Sequence, residues 1–385
     1  MRDSVHQATA TSVHSASHLR QWLRQAHLWG GLSLGLVYAL IALSGSVLAL
    51  QGPLLRALHP ELAAHALPTR TQQAAVLERI VRDWSTQGLR NSDLPTAALP
   101  SWQLYFDGGV RRYLDPVNGE LLLTRSPSTD VLLALRYWHT NLLGGQTGET
   151  VLGVLGWATV LLLLSGLVLW WPRRGQLRAH LTPYARPPAR RWLSWHRALG
   201  ALSLPLLLVV TLTGTLMVYH GGSKHALQVL FADAPAAPPP APIPPRNTAI
   251  DWVAVLDAAQ HALPGAELHR VALPSANDGR VSVRARAADE WHTVGRSVVW
   301  LDPYQARVLG VVDATKEDTG ARLGNAIYPL HAGSDTGSFW WALVLLSGSL
   351  PPFFLVTGFL YWRARRPAAM SRKRLGSGSL LAEGK

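Results

Sequence analysis

Four stretches of this chain contain no charged residue over the length that a helix needs to cross a lipid bilayer, which is about 20 residues. These stretches are residues 28–50, 151–171, 199–219 and 339–362. The first is too long to be the apolar core of a cleavable signal peptide, and three similar stretches follow it. The sequence therefore predicts an integral membrane protein with four transmembrane helices.

The composition agrees with a membrane protein and excludes several kinds of metal site. Only 15% of the 385 residues are charged, whereas soluble domains usually have about a quarter. The chain contains no cysteine. It therefore cannot form disulfides, thiolate zinc sites, cysteine-ligated iron–sulfur clusters or covalently attached haem.

The basic residues predict the orientation of the four helices. Residues 1–26, 172–198 and 363–385 contain 17 of the 36 Lys and Arg residues. Basic residues are enriched on the cytoplasmic side of membranes, so both termini are expected in the cytoplasm and residues 51–150 and 220–338 outside it. No DNA- or RNA-binding motif accompanies the net charge of +13. We interpret this charge as a topology feature that contacts lipid headgroups, not nucleic acid.

The two halves of the chain resemble each other. In each half, a histidine near one end of a predicted span is followed at a fixed distance by a glycine flanked by small or apolar residues. The pairs are His27–Gly45 and His196–Gly214, which are 18 residues apart, and His139–Gly166 and His331–Gly358, which are 27 residues apart. This spacing indicates an internal duplication with both copies entering the membrane in the same sense.

The external segments repeat as well. Each contains an Asp-Pro turn, at Asp115 and Asp302, between two short predicted strands. A predicted helix, at 72–86 or 251–262, and a strand, at 102–106 or 280–285, come before each turn. Each segment is thus expected to form a small α+β module, giving two parallel repeats of helix, module and helix.

These features give a division of the chain into nine segments. They are a disordered cytoplasmic N-terminus (1–17), transmembrane helix 1 (18–50), module 1 (51–138), transmembrane helix 2 (139–172), a basic cytoplasmic loop (173–195), transmembrane helix 3 (196–220), module 2 (221–330) with a Pro-rich linker (235–245), transmembrane helix 4 (331–363) and a basic cytoplasmic tail (364–385).

The four repeated histidines are candidate cofactor ligands. His27 and His196 are expected at the cytoplasmic side, and His139 and His331 at the external side, with His220 as a possible alternative ligand there. Zinc, copper and calcium usually need further protein ligands or acids. Haem needs only axial ligands, and its macrocycle fills apolar space between helices. The sequence therefore predicts two non-covalent, b-type haems, one between each pair of imidazoles.

The His–Gly spacings, the Trp195-His196-Arg197 segment, the Leu330-His331 segment and the two Asp-Pro turns resemble the PepSY-associated transmembrane proteins. These are also called iron-regulated membrane proteins. The resemblance covers residues 18–366, and the chain looks closest to the FoxB-type branch. It implies two periplasmic α+β PepSY-like modules and haem bound through the four repeated histidines. It also implies a location in the bacterial inner (cytoplasmic) membrane.

The resemblance further implies reduction of a ferric siderophore such as ferrioxamine in the periplasm, with release of ferrous iron. No nicotinamide- or flavin-binding motif is present, so electrons are expected from quinol or a cytoplasmic reductase. No catalytic residue is assigned. Trp102, Tyr105, Trp291 and Trp300 are either siderophore contacts or module core. The alternatives are a siderophore or iron permease, favoured by the Pro351-Pro352 helix break, and a tethered binding module.

Overall fold

The computed structural model of the chain describes residues 2–172, 174–235, 238–334 and 336–379. Within these ranges, four helical segments are long and apolar enough to cross a membrane, which confirms the four predicted spans: His18–Ala49, Gly145–Trp170, Pro188–Val218 and Ser338–Arg365. The helices are α1 Arg2–Ala49, α2 Gln51–Leu58, α3 Arg70–Trp84, α4 Val131–Asn141, α5 Gly145–Trp170, α6 Leu177–Leu181, α7 Pro188–Val218, α8 His220–Leu230, α9 Trp252–Ala262, α10 Thr319–Ala332, α11 Ser338–Ser347 and α12 Leu350–Ser379.

The spans form a bundle in which α1 and α7 each pack against both α5 and α12. Outward-facing positions remain apolar, and Leu161 and Leu202 are about two-thirds exposed, at 66% and 68%. A helix that is apolar on its outer face and its packed face alike is suited to lipid. The sequence predicts disorder for residues 1–17, but α1 extends back to Arg2. Residues 2–29 contain neither Pro nor Gly, so no residue in this stretch interrupts the helix.

The histidine-bearing ends of spans two and four differ from the sequence prediction. His139 lies in α4 and His331 in α10, and each of these helices is separated from the span that follows. The residue that follows α4 is Leu142 and the residue that follows α10 is Gly333, and both have left-handed backbone (φ +52° and +69°). A left-handed residue ends a helix. The segment predicted as 139–172 therefore contains parts of two helices, α4 and α5, and the segment predicted as 331–363 contains parts of three, α10, α11 and α12.

Among the described residues, one antiparallel sheet contains all the named strands, in the order β4-β3-β2-β1-β5-β6-β7-β8. The strands are β1 Leu89–Asp93, β2 Trp102–Phe106, β3 Arg111–Leu114, β4 Leu121–Arg125, β5 Glu267–Ala272, β6 Val281–Arg286, β7 Ser297–Asp302 and β8 Arg307–Val312. The predicted modules are thus joined into one sheet, because β1 pairs with β5. If the two modules were separate sheets, β1 and β5 would be exposed edge strands; their pairing satisfies the backbone hydrogen-bonding groups of both.

α3 and α9 cover one face of the sheet and share one core with it. The core side chains alternate along the strands, as Trp102 and Leu104 do on β2 and Val281 and Val283 do on β6. The predicted Asp-Pro turns are confirmed: the Asp115 carboxylate accepts a hydrogen bond from the Val117 amide (2.8 Å), and the Asp302 carboxylate accepts one from the Tyr304 amide (3.0 Å). The last turn residues, Gly119 and Ala306, have positive φ.

The described part of the Pro-rich linker is extended and lies on the second half of the sheet. The Gly279 amide donates to the Ile243 carbonyl (2.8 Å), and the Arg280 guanidinium donates to the Pro240 carbonyl. Residues 236 and 237 of the linker and residues 380–385 of the predicted tail lie outside the described residues.

Candidate functional site

Two pairs of histidine rings lie inside the bundle. The rings of His139 and His331 are 6.0 Å apart between centroids, at the end of the bundle next to the sheet, which we call the sheet end. The rings of His27 and His196 are 6.3 Å apart at the opposite end, which we call the loop end. The structure thus brings together the two pairs that the sequence predicts.

Each ring packs against one of the repeated glycines. This glycine lies on the neighbouring helix and is not the one with which the histidine is paired by sequence spacing. A β-carbon on Gly45 would lie 2.9 Å from Cε1 of His139, and one on Gly166 would lie 3.1 Å from Cε1 of His27. In the second half, Gly214 faces His331 (2.7 Å) and Gly358 faces His196 (3.8 Å). Absence of a side chain at Gly45, Gly166 and Gly214 is therefore what lets these imidazoles enter the bundle, whereas a β-carbon on Gly358 would make only ordinary contact.

The residue before each of these glycines is Ser or Thr, and its hydroxyl contacts the same imidazole. Each contact joins an Nδ1 atom to a hydroxyl oxygen. The four contacts are His27–Ser165 (2.8 Å), His139–Ser44 (3.0 Å), His196–Thr357 (3.0 Å) and His331–Thr213 (3.5 Å). At the sheet end, the carbonyls of Ile41 and Val210 also lie 3.0 and 2.9 Å from the two Nδ1 atoms.

The hydrogen-bond network assigns the tautomer of these rings. Each hydroxyl already donates its proton to a carbonyl in its own helix, as Ser165 does to Leu162 (2.7 Å) and Thr357 to Phe353 (2.8 Å). A hydroxyl has one proton to donate, so its oxygen must accept from the histidine. Nδ1 therefore carries the proton, and Nε2 has a free lone pair. Metal-bound histidines almost always have such a partner for their second nitrogen.

The spacing within each pair leaves room for one metal ion that both rings would hold. A metal–imidazole bond is about 2 Å, and a ring nitrogen lies about 1.1 Å from the ring centre, so opposed ligands have centres about 6.2 Å apart. The observed separations are 6.3 and 6.0 Å. Within the described ranges, no three His, Asp or Glu side chains come together as a metal site. Each pair could thus supply two nitrogen ligands, which is the number that a haem with two protein ligands takes.

The two histidine pairs are separated along α1 and α7 by nearly the thickness of the apolar core of a bilayer. His27 and Gly45, which marks the position of His139, are 18 residues apart in α1, and this corresponds to about 27 Å along the helix axis. His196 and Gly214 have the same separation in α7. The apolar core of a bilayer is about 30 Å thick, so the two sites lie near its two surfaces.

The profile of the PepSY-associated TM region matches residues 24–365, which include both histidine pairs and all four repeated glycines. The chain belongs to the PepSY-associated transmembrane family. A comparison with curated proteins gives no significant match.

This PepSY-associated protein holds its sheet-end histidines through the helices that carry them. The Asp130 carboxylate caps α4 by accepting from the Leu133 amide (2.8 Å) and also binds Arg125 at 2.7 and 2.8 Å. The Arg125 side chain is only 1% exposed. For α10, the Asp233 carboxylate accepts from the amides of Gly320 and Ala321. Both helices are thus fixed at the end away from their histidine.

The other candidate site residues from the sequence lie outside the two histidine pairs in this member of the family. His220 is exposed at the start of α8, and His139 and His331 form the sheet-end pair without it. Trp102 is completely buried in the core and cannot contact a ligand, whereas Trp291 is 56% exposed. Tyr105 and Trp300 are half-buried on the opposite face of the sheet from Trp102. The four hydroxyl partners were missed, although Ser or Thr precedes all four repeated glycines.

Proposed function

We propose that this PepSY-associated protein is a dihaem reductase of the bacterial inner membrane that passes electrons outward to a ferric siderophore. The observation that carries the proposal is the fourfold contact between a histidine Nδ1 and a Ser or Thr hydroxyl. A histidine that is only packed in a bundle does not need a hydrogen-bond partner on Nδ1 beside a second imidazole. Such a partner is expected for a histidine that would hold a metal or a haem iron.

The residues of the chain would position the two cofactors as follows. His27 and His196 would hold the loop-end haem, and His139 and His331 the sheet-end haem. When bound, haem takes up and releases single electrons. The hydroxyl partners fix each ring orientation and raise the basicity of the ligating nitrogen. Gly45, Gly166 and Gly214 leave the space that three of the rings occupy.

The distribution of basic residues gives the membrane topology, and the topology gives the proposed direction of electron flow. The loop end carries the predicted cytoplasmic segments with their excess of Arg, so it is placed inside by the positive-inside rule. The sheet then lies in the periplasm. One electron from quinol or a cytoplasmic reductase converts the bound Fe(III) of the siderophore to Fe(II). Hard oxygen ligands bind Fe(II) more weakly, so the metal is released without formation of any bond to the protein.

The structure does not favour the alternative of a permease. Span four is interrupted between α11 and α12, as the Pro351-Pro352 pair predicts. However, Gly348 at this break lies against α1, and a β-carbon there would be 1.9 Å from the Ser46 hydroxyl oxygen. The break is thus filled by a neighbouring helix.

The test is haem content and the visible spectrum of the full chain purified in detergent, with and without dithionite. We expect a low-spin b-type spectrum with about two haems per chain. His196→Ala and His331→Ala should each lose about one haem, whereas His261→Ala, on the exposed side of α9, should keep both. A folded, colourless wild-type protein would contradict the proposal. Retention of both haems in His196→Ala and in His331→Ala would contradict the ligand assignment.

A further inference from the structure

The sheet face opposite α3 and α9 lies against the sheet end of the bundle. Gly109 follows β2, and a β-carbon there would lie 1.8 Å from the hydroxyl of Tyr137 on α4. Arg136 on α4 interacts electrostatically with Arg111, Tyr105 and Tyr328. Arg136 is one helical turn before His139, and Tyr328 is one turn before His331. This junction therefore lies directly above the sheet-end histidine pair.

Five arginines surround Tyr105 and Tyr328 at this junction, and we call them the arginine cluster: Arg111, Arg136, Arg270, Arg284 and Arg296. Arg111 and Arg270 lie over the Tyr105 ring at 5.2 and 4.7 Å. Arg136 and Arg296 both interact with Tyr328, and Arg284 interacts with Arg270 and Arg296. Arg270 and Arg284 are direct cross-strand partners on β5 and β6. Like charges at directly opposed positions in a sheet are destabilising. The fold thus maintains a costly concentration of positive charge at one place.

Acidic residues neutralise only part of the cluster. The Asp93 carboxylate binds Arg270 at 2.5 and 2.9 Å and accepts from the Tyr105 hydroxyl (2.7 Å). The Glu290 carboxylate accepts from the Ser297 hydroxyl (2.6 Å) and from backbone amides. Asp93 and Glu290 are therefore already used within the fold.

Three members of the cluster have unused hydrogen-bonding groups. The side chains of Arg136 and Arg284 make no hydrogen bond or ion pair with any residue that the structure describes, although the carboxylates of Asp93 and Glu290 act on Arg284 at longer range. Nε of Arg296 is buried and has no partner among the described atoms. Burial and the neighbouring guanidinium groups lower the pKa of Arg284 and of Arg296. A buried donor without a partner is costly, and this applies to Nε of Arg296. The guanidinium groups of Arg136 and Arg284 are half-buried and without a hydrogen-bond partner, so the three groups together indicate a ligand.

We propose that the arginine cluster binds an anionic ferric chelate, with carboxylate or catecholate oxygens, above the sheet-end pair. This inference rests on the proposed function and specifies its substrate. Guanidinium groups bind such oxygens through two parallel hydrogen bonds. Tyr105 and Tyr328 provide aromatic walls, and the His292 ring packs against Tyr328 at 5.0 Å. A positively charged chelate such as ferrioxamine B is disfavoured by the same charges, which changes the substrate class expected from the sequence.

The test uses gallium(III) chelates, because gallium(III) matches iron(III) in charge and size but is not reduced under these conditions. Binding of a triply negative gallium tris-catecholate and of cationic gallium–ferrioxamine B is measured by calorimetry on the full chain in detergent. The variants are Arg284→Gln, on the sheet, and Arg136→Gln, on α4. The control is Arg307→Gln, which removes the same charge from an exposed position on β8. Haem content and unfolding temperature are measured on each preparation.

We expect wild type to bind the anionic chelate more tightly than the cationic one. Arg284→Gln and Arg136→Gln should each weaken anion binding at least about tenfold, and Arg307→Gln should not. Arg284→Gln should unfold at the same temperature as wild type or higher, because it removes the opposed like charges.

Equal binding by wild type and Arg284→Gln would overturn the proposal. So would loss of the sheet-end haem with unchanged chelate binding, since the cluster would then anchor carboxylates of the cofactor. Failure of electron transfer alone would refute the proposed function and leave these binding results intact.

Discussion

The Nδ1 atom of His27 lies 2.8 Å from the hydroxyl oxygen of Ser165 on the neighbouring span. The same relationship joins His139 to Ser44 in the opposite direction, from the second span back to the first. Each half of the bundle is thus held by two reciprocal contacts, one near each end. The contacts hold the imidazoles next to the other half, where the second histidine of each pair lies. The duplication therefore creates both pairs: each half supplies one histidine at each end.

The first prediction concerns the hydroxyl of Ser165. Ser165→Ala removes the acceptor of the His27 Nδ1 proton and should weaken loop-end haem binding about 10- to 100-fold. Ser165→Thr should retain binding, because Thr357 holds the same position in the second half. Haem dissociation is followed by transfer to an excess of apomyoglobin. Equal haem loss from the Ala and Thr variants would show that side-chain volume, not the hydroxyl, controls binding.

The second prediction compares two repeated glycines. A β-carbon on Gly214 would lie 2.7 Å from His331, whereas one on Gly358 would lie 3.8 Å from His196, which is ordinary contact. Gly214→Ala should therefore displace His331 and reduce sheet-end haem, and Gly358→Ala should leave the loop-end haem in place. Haem content and the low-spin electron paramagnetic resonance signals report the two sites separately. Equal haem content in both variants would contradict a steric role for Gly214.

Much of this architecture follows from the sequence alone. The four spans follow from the absence of charge, and the two histidine pairs follow from the duplication, because equivalent positions in parallel repeats lie at the same depth. The α3 and α9 helices and the Asp-Pro turns are also confirmed, since helix periodicity and turn residues act locally.

The features that were not predicted depend on contacts distant in sequence. Pairing of β1 with β5 joins residues about 180 positions apart, and edge pairing leaves no local pattern. The separate helices that carry His139 and His331 end at left-handed residues, of which Leu142 has no sequence preference for that conformation. The arginine cluster brings together five residues from two modules and α4, so basic residues that look dispersed along the chain become adjacent.

The third prediction concerns the buried ion pair that fixes α4. Asp130→Asn keeps an oxygen to cap the helix but leaves Arg125 charged and buried, which should destabilise the folded protein by about 3–5 kcal/mol. Asp83→Asn removes an exposed ion-pairing carboxylate on α3 and should have no measurable effect. Thermal unfolding in detergent measures both. An unchanged unfolding temperature for Asp130→Asn would show that Arg125 finds another partner.

The last prediction is a pH dependence that arises from His292. Burial, followed by the positive charges of Arg296 and Arg284, lowers the pKa of His292 to about 3, whereas an unfolded chain has a histidine pKa of about 6.5. As the pH falls below about 6.5, the unfolded chain binds a proton that the folded protein does not, so stability decreases. The decrease is at most about tenfold in the folding equilibrium constant for each pH unit down to the folded pKa. Above pH 7 the effect is absent.

His292→Phe keeps an aromatic ring against Tyr328 and removes the titration. Protonation of carboxylates elsewhere in the chain also destabilises the folded protein in acid. The informative quantity is therefore the difference in unfolding temperature between wild type and variant. We expect the unfolding temperature of wild type to fall more than that of His292→Phe as the pH is lowered from 7 to 4.5. The difference between the two should be constant between pH 7 and 8. Parallel curves over the whole range would mean that the pKa of His292 is the same in the folded and the unfolded protein, which contradicts the prediction.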